Sequence, residues 1–385
     1  MPPTSAKPAS KPVAAKSAAG SLAGFCPWAV EEGVRVYLRP VGLMPVAAWA
    51  KGAAVPLAGG RFAFSTAELI VRDGGARLDR AFAPLSEIMA WGWERSRPVA
   101  EALDRQLGAL TRARAPFGGL AFDRPRIMGI VNVTPDSFSD GGDFFDPAAA
   151  IAHGEAMLAA GADLLDIGGE STRPGAAPVP PEEEEARVLP VIRHFAAKGA
   201  VVSVDTRHAR VMDSAAAAGA RIVNDIAGLG DPDALPVVAR TAMPVVLMHM
   251  QGEPGTMQKD PTYRDAALDV FDWLEARVAR CTAAGVPAER IAVDPGIGFG
   301  KTVEHNLEIL RHTALYHALG CAVLIGLSRK AFIGRLSRGE APKDRVAGSL
   351  AAGLETLNQG AQILRVHDVA ETAQARALWE GLHPL

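Results

Sequence analysis

An alternation limits what this chain can fold into. From Ile127 onward, short runs rich in Val, Ile and Leu alternate eight times with Ala-rich amphipathic stretches. The runs are Ile127–Asn132, Leu164–Ile167, Val201–Asp205, Ile222–Asp225, Val245–His249, Ile291–Asp294, Val323–Gly326 and Ile363–Val366. Helical patterns follow around Pro147–Ala160, Pro181–Lys198, Ala209–Ala218, Pro232–Arg240, Tyr263–Ala284, Val303–Leu319, Lys343–Gln359 and Val369–Leu382. Short continuous apolar runs read as strands buried on both faces, and amphipathic stretches between them read as crossover helices. Eight such units in about 260 residues predict an α/β fold of the (β/α)8 TIM-barrel type. An open doubly wound sheet, the structural alternative, would more often have five or six strands.

The preceding chain has a different texture. Residues 25–122 carry Trp28, Trp49, Trp91 and Trp93, strand-like runs at Val34–Leu38 and Phe62–Val71, and Gly-Gly turns at 59–60 and 74–75. A helical stretch follows from about Leu85 to Arg114, with a bend expected at Pro98. These residues predict a small α+β extension with no chemical motif. Residues 1–24 read as a solvated, disordered leader built from Pro, Ala, Ser and Lys. The expected organisation is thus leader 1–24, extension 25–122 and barrel 123–385.

Composition removes several function classes. A net charge of -3 gives no electrostatic footprint for nucleic acid or a membrane surface. Cys26, Cys281 and Cys321 are far apart and lack C-x-x-C spacing, which argues against disulfides and zinc ribbons and for a reducing, cytoplasmic location. No apolar run is long enough to span a bilayer. Pro295–Thr302 imitates a phosphate-binding Walker loop, but the first required glycine is Pro295.

In a TIM barrel, chemistry sits where strands end. Here the ends are polar: Asn132, Asp166–Gly175, Asp205-Thr206, Asn224-Asp225, His249-Met250-Gln251, Asp294–Lys301, Gly326–Lys330 and Arg365–Asp368. Asp205-Thr206 and Asn224-Asp225 could equally be helix N-caps, and His249 could be a core histidine. Arg365 and His367, two residues apart, would lie on one strand face, where two cations need an anion between them. Together the groups sort by chemistry. Asp205, Asn224 and Asp294 suit a planar ring with a row of N–H donors, and Lys330 its carbonyl side. Arg365, His367, Thr172 and Asn132 suit a phosphate or pyrophosphate, with Asn132 able to offer oxygen to Mg2+.

The motifs Asn132–Gly142, Asp166–Gly175, His249–Gln258, Asp294–Lys301, Ser328-Arg329-Lys330 and Arg365-Val366-His367 resemble those of the dihydropteroate synthase family, from about residue 125 to 385. The resemblance implies condensation of 6-hydroxymethyl-7,8-dihydropterin pyrophosphate with p-aminobenzoate, releasing pyrophosphate, by an enzyme using Mg2+ and acting as a homodimer. It implies a pterin site of Asp205, Asn224, Asp294 and Lys330, and a pyrophosphate site of Asn132, Thr172, Arg365 and His367. Asn132 would ligate the metal. Thr172, Arg173, Pro174, Phe299, Ser328 and Lys330 would frame the aminobenzoate, and Asp205, Lys330 and Arg365 would carry catalysis. The first two loops are expected to close over substrate. Two alternatives are a corrinoid-linked pterin methyltransferase, which would not need the Arg365/His367 pair, and a silent barrel serving as a binding module.

Overall fold

The computed structural model describes residues 22, 24–26, 34–74, 78–134, 147–171, 178–253 and 255–384. Before the barrel lie β1 (Arg35–Val41), β2 (Met44–Pro45), β3 (Val55–Pro56), β4 (Phe62–Phe64), β5 (Thr66–Arg72), β6 (Leu78–Pro84), α1 (Leu85–Arg95) and α2 (Arg97–Thr111). β5 is central in an antiparallel sheet of order β1-β5-β6, and β2-β4-β3 form a second small sheet.

Besides β6, which lies outside the strand-like runs named above, two details differ from the expectation. The run Phe62–Val71 divides at Ser65 into strands of separate sheets, and the Ser65 carbonyl accepts the first amide of α1, from Leu85. The helical break falls at Ser96, not Pro98: Ser96 is extended (φ -172°, ψ 157°), and its hydroxyl accepts the Val99 amide at 3.4 Å. Pro98 lies in the first turn of α2, where its missing N–H costs nothing.

The eightfold alternation becomes a closed barrel of parallel strands: β7 (Arg126–Asn132), β8 (Leu164–Gly168), β9 (Val202–Asp205), β10 (Ile222–Asp225), β11 (Val245–Met248), β12 (Ile291–Asp294), β13 (Ala322–Ile325) and β14 (Ile363–Val366). Its helices are α3 (Pro147–Ala159), α4 (Pro181–Ala197), α5 (Ala209–Ala217), α6 (Ala234–Thr241), α7 (Ala266–Ala283), α8 (Val303–Arg311), α9 (Ala331–Leu336), α10 (Val346–Asn358) and α11 (Val369–Leu382). The stretch expected as one helix over Val303–Leu319 is α8 followed by a 3-10 turn, Thr313–Leu319.

The strand interiors are buried almost without exception, as a sheet covered on both faces requires. At their amino ends Met128, Leu164, Ile222, Val246, Ala292, Ala322 and Ile363 form an apolar layer. Phe117, 1% exposed, plugs it from below, with Leu120 and Phe122 packed against it. The barrel is therefore sealed at that end, and only the carboxyl ends can admit substrate. Phe117→Ala should cost about 3–5 kcal/mol through the cavity it leaves. Denaturant unfolding checks this, and an unchanged midpoint would contradict the plug.

Candidate active site

The barrel register sets the polar strand ends side by side: Gly168 pairs with Asp205, Asp205 with Asn224, and Met248 with Asp294. Over them reaches Arg365 from β14. Its Nε donates to Asp166 Oδ2 at 2.6 Å and its Nη2 to Asp205 Oδ2 at 2.5 Å. Asp166 Oδ2 also accepts Asn224 Nδ2 at 2.8 Å. Gly326, after β13, borders this floor: its Cβ position lies 3.6 Å from Asp294 Oδ2 and 3.8 Å from the Arg365 side chain, ordinary contact distances.

This placement corrects one expectation. Arg365 and His367 are not two cations waiting for an external anion. Arg365 is already offset by Asp166 and Asp205, so it stands among carboxylates that include Asp205, expected on the pterin side, and not on the pyrophosphate side alone. His367 lies just past the last residue of β14. Burial, helped by Arg365 and Arg329, pushes its imidazole down to about 3, so it is neutral. Its Nδ1 sits 3.1 Å from Ser328 Oγ, which also accepts the His367 amide at 3.2 Å.

The charges are confined rather than solvated. Burial works against the Arg365 charge, but Asp166 and Asp205 outweigh it and hold the guanidinium protonated. Burial raises Asp205 to about 7, with Arg365 opposing and Asp166, Glu184 and Asp225 adding to the rise. Burial also raises Asp294, whose Oδ1 accepts the Gly296 amide at 2.7 Å while Lys330 and Arg365 counter. Lys330 is brought down to about 7 by burial, against the pull of Asp294. Its ammonium donates to the Ile297 carbonyl and sits 4.0 Å from the centre of the Phe299 ring, a cation–π distance.

The open choices at three strand ends resolve. Asp205 caps no helix: α5 starts after His208, and its first amide, from Ala209, goes to Asp231 Oδ2 at 2.9 Å. Asn224 and Asp225 part company, for Asp225 turns away to accept the Ala227 and Leu229 amides, both at 2.7 Å. His249 is a core histidine. It is 5% exposed, lies edge-on to Trp273, and its Nδ1 is 2.9 Å from Nζ of the buried Lys301. Lys301 also donates to the carbonyl of Phe299 at 2.9 Å and, more weakly, to that of His249 at 3.3 Å. Gly296 must be glycine here: at φ +69°, a Cβ would fall 1.9 Å from the His249 carbonyl oxygen.

Two further features shape the site. Asp166 is fully buried in the middle of β8 and ties Asn224 to Arg365 through one oxygen. Its Oδ1 has no partner among the described residues. The signal was present, since a carboxylate inside the apolar run Leu164–Ile167 demands a partner. The Lys301–His249 contact joins two strand ends and had no local pattern to reveal it.

Asn132 ends β7 opposite Gly168, and its side chain forms no hydrogen bond among the described residues. Thr172, Arg173 and Pro174 lie outside the described residues, as do residues 135–146 of the first loop, so the expected closure is not visible. Among the described residues there is no cluster of three His, Cys, Asp or Glu suited to a metal, and no helix long and apolar enough to cross a membrane.

Comparison with known proteins agrees with this geometry. The pterin binding enzyme family matches residues 128–367. A dihydropteroate synthase of Neisseria meningitidis serogroup B is 50% identical over 269 residues, covering 68% of this chain and 94% of that one. That of Escherichia coli is 47% identical over 263 residues, covering 68% and 93%. A solved dihydropteroate synthase of Xanthomonas albilineans with 4-aminobenzoic acid superposes with a TM-score of 0.65 at 50% identity, over 69% of this chain and 96% of that one. The Burkholderia cenocepacia enzyme complexed with 7,8-dihydropteroate gives 0.62 at 45% identity, over 68% and 93%. The chain belongs to the pterin binding enzyme family and, within it, to the dihydropteroate synthases.

Proposed function

We propose that the chain is a transferase condensing 6-hydroxymethyl-7,8-dihydropterin pyrophosphate with p-aminobenzoate to give 7,8-dihydropteroate and pyrophosphate, a step of folate biosynthesis. The observation that carries this reading is the enclosed set Asp205, Asn224, Asp294 and Lys330 around Arg365. Three acceptors and one donor suit a pterin's N–H edge and carbonyl, and Arg365 would be a preorganised cation for the charge that a leaving group develops.

Asp205 and Asp294 would accept ring N–H groups, Asn224 would fix the ring in plane, and Lys330 would donate to the ring carbonyl. Arg365, His367, Asn132 and Thr172 would hold the pyrophosphate. As its bond to the pterin methylene breaks, negative charge grows beside Arg365 and positive charge on a ring flanked by Asp205. Fixed charges placed in this way contribute about 3 kcal/mol each. The amine nitrogen of p-aminobenzoate then takes the methylene carbon and loses a proton, with Phe299, Ser328, Lys330 and residues 172–174 framing the arene. No protein nucleophile is required. Among the candidates, the three cysteines are buried and His249 is engaged by Lys301.

A divalent cation, Mg2+ in this reading, fits the donors present. Mg2+ keeps water and takes substrate phosphate oxygens, needing only one or two protein oxygens, and the Asn132 amide, without a hydrogen bond among the described residues, could offer one. When bound, the cation neutralises charge on the departing pyrophosphate.

The division at residues 122/123 belongs to the same proposal, supported by a family match that begins at residue 128. So do a cytoplasmic location, which free cysteines suit, and a homodimer, which the exposed Leu378 and Leu382 of α11 would help to form. Pyrophosphate release tests the function. It should require the pterin substrate, p-aminobenzoate and Mg2+ together and stop on chelation. Release that ignores both the amine and the metal would contradict it.

A further inference from the structure

The extension that precedes the family match makes its closest polar contacts with one helix. Arg72, at the end of β5, donates to Asp269 Oδ1 at 2.6 Å and also to Asp272. Tyr37 Oη donates to Asp272 at 3.0 Å, Arg35 pairs with Asp272 at 2.9 Å, and Arg80 with Asp265. Asp265, Asp269 and Asp272 are spaced by four and three residues, so they form one stripe along the start of α7. The Arg72 side chain is only 16% exposed, which lifts its pairs above ordinary surface ion pairs.

The same carboxylates hold the chain that enters α7. Asp269 Oδ2 accepts the Arg264 amide at 2.9 Å, and Asp265 Oδ1 caps the helix through the Leu268 amide at 3.0 Å. Just upstream, the connection from β11 grips the glycine loop after β12. Tyr263 Oη donates to the Gly300 carbonyl at 2.8 Å and Gln258 Nε2 to that of Gly298 at 2.6 Å. Gln251 exchanges two hydrogen bonds with Thr262, both 2.9 Å. Between the two gripped glycines stands Phe299, against Lys330.

We infer that the N-terminal extension is a brace for the aminobenzoate side of the active site, acting from Arg72 through Asp269, the 255–264 connection and the Gly298–Gly300 carbonyls to Phe299. Arg72 is thus a positioning residue, about which the barrel's own match with its relatives says nothing. Lining the arene pocket with a loop held from outside the barrel makes the affinity for the aryl amine depend on the extension, while the carboxylate set on the barrel floor stays independent of it. This rests on the proposed function only for the identity of the arene substrate.

The test compares full-length wild type with Arg72→Met, and with Arg72→Lys as a milder variant that keeps the charge. Amide hydrogen exchange in residues 251–264 and 296–302 should be about tenfold faster in Arg72→Met, with the β8–β10 strand ends unchanged. In steady-state assays KM for p-aminobenzoate should rise about tenfold, while KM for the pterin substrate stays within about twofold. Arg72→Lys should recover part of both effects. Unchanged exchange in these segments, or equal rises in both KM values, overturns the brace. If the wild-type chain makes no dihydropteroate, the proposed function fails, and the exchange comparison alone still decides whether the extension braces the loop.

Discussion

Arg365→Ala is expected to lower kcat/KM for the pterin pyrophosphate by about a thousandfold. Arg365 touches both Asp166 and Asp205 and, in the proposed mechanism, would meet the leaving group's charge, so its loss would remove transition-state stabilisation and unbalance the floor. Two buried carboxylates would lose their cation, at a cost of about 3–5 kcal/mol in stability. That cost has a definite pH dependence. Asp205 already sits at about 7 with Arg365 opposing the rise, so in the variant its folded-state pKa goes higher still, against about 3.9 unfolded. The folded state then binds more protons than the unfolded state between these values, and stability falls as pH rises through that window. Thermal melts should therefore show the variant closest to wild type in acid and furthest from it above neutrality. Arg365→Lys should recover stability more than activity, because an ammonium keeps the charge but cannot reach two carboxylates with a planar fork. Near-wild-type turnover in the alanine variant would remove Arg365 from the mechanism.

Asp205→Ala should lose activity by a similar factor, on the order of 10²–10³, with the fold retained. Asp205 is the acceptor that would meet the ring as positive charge grows, and its loss leaves Arg365 still paired with Asp166. Asp205→Asn separates charge from shape: it keeps the volume and should still lose most activity, since an amide cannot stabilise a cation as a carboxylate does. Steady-state kinetics checks both variants. Turnover near that of wild type in either would refute the role assigned to Asp205.

How much of this was legible in the sequence follows from the physics of each element. The eight strands could be placed because buried parallel strands are uninterrupted apolar runs, and the helices because their faces alternate. β6 is not legible because Leu78–Pro84 is a short, mostly unburied edge strand in which Asp79 and Arg80 interrupt the apolar residues and leave no clean period. The short α9 has too few turns to show one. Ser96 took the break from Pro98 because the first turn of a helix needs no amide from a proline. Within the site, strand order correctly predicts which ends are neighbours, but not how far a side chain reaches. Strand neighbours alone group Arg365 with the pyrophosphate-binding residues, whereas its long guanidinium crosses to Asp166 and Asp205. Asp166 needed a partner that only the closed barrel supplies. The carboxylate stripe on α7 was indistinguishable from a solvated face until the extension was seen against it.

The most direct measurement of the central claim is mass-spectrometric detection of product from the purified full-length chain. With 6-hydroxymethyl-7,8-dihydropterin pyrophosphate, p-aminobenzoate and Mg2+, 7,8-dihydropteroate and pyrophosphate are expected in equal amounts, and neither when p-aminobenzoate is left out. A chain that binds the pterin yet forms no dihydropteroate under these conditions would contradict it.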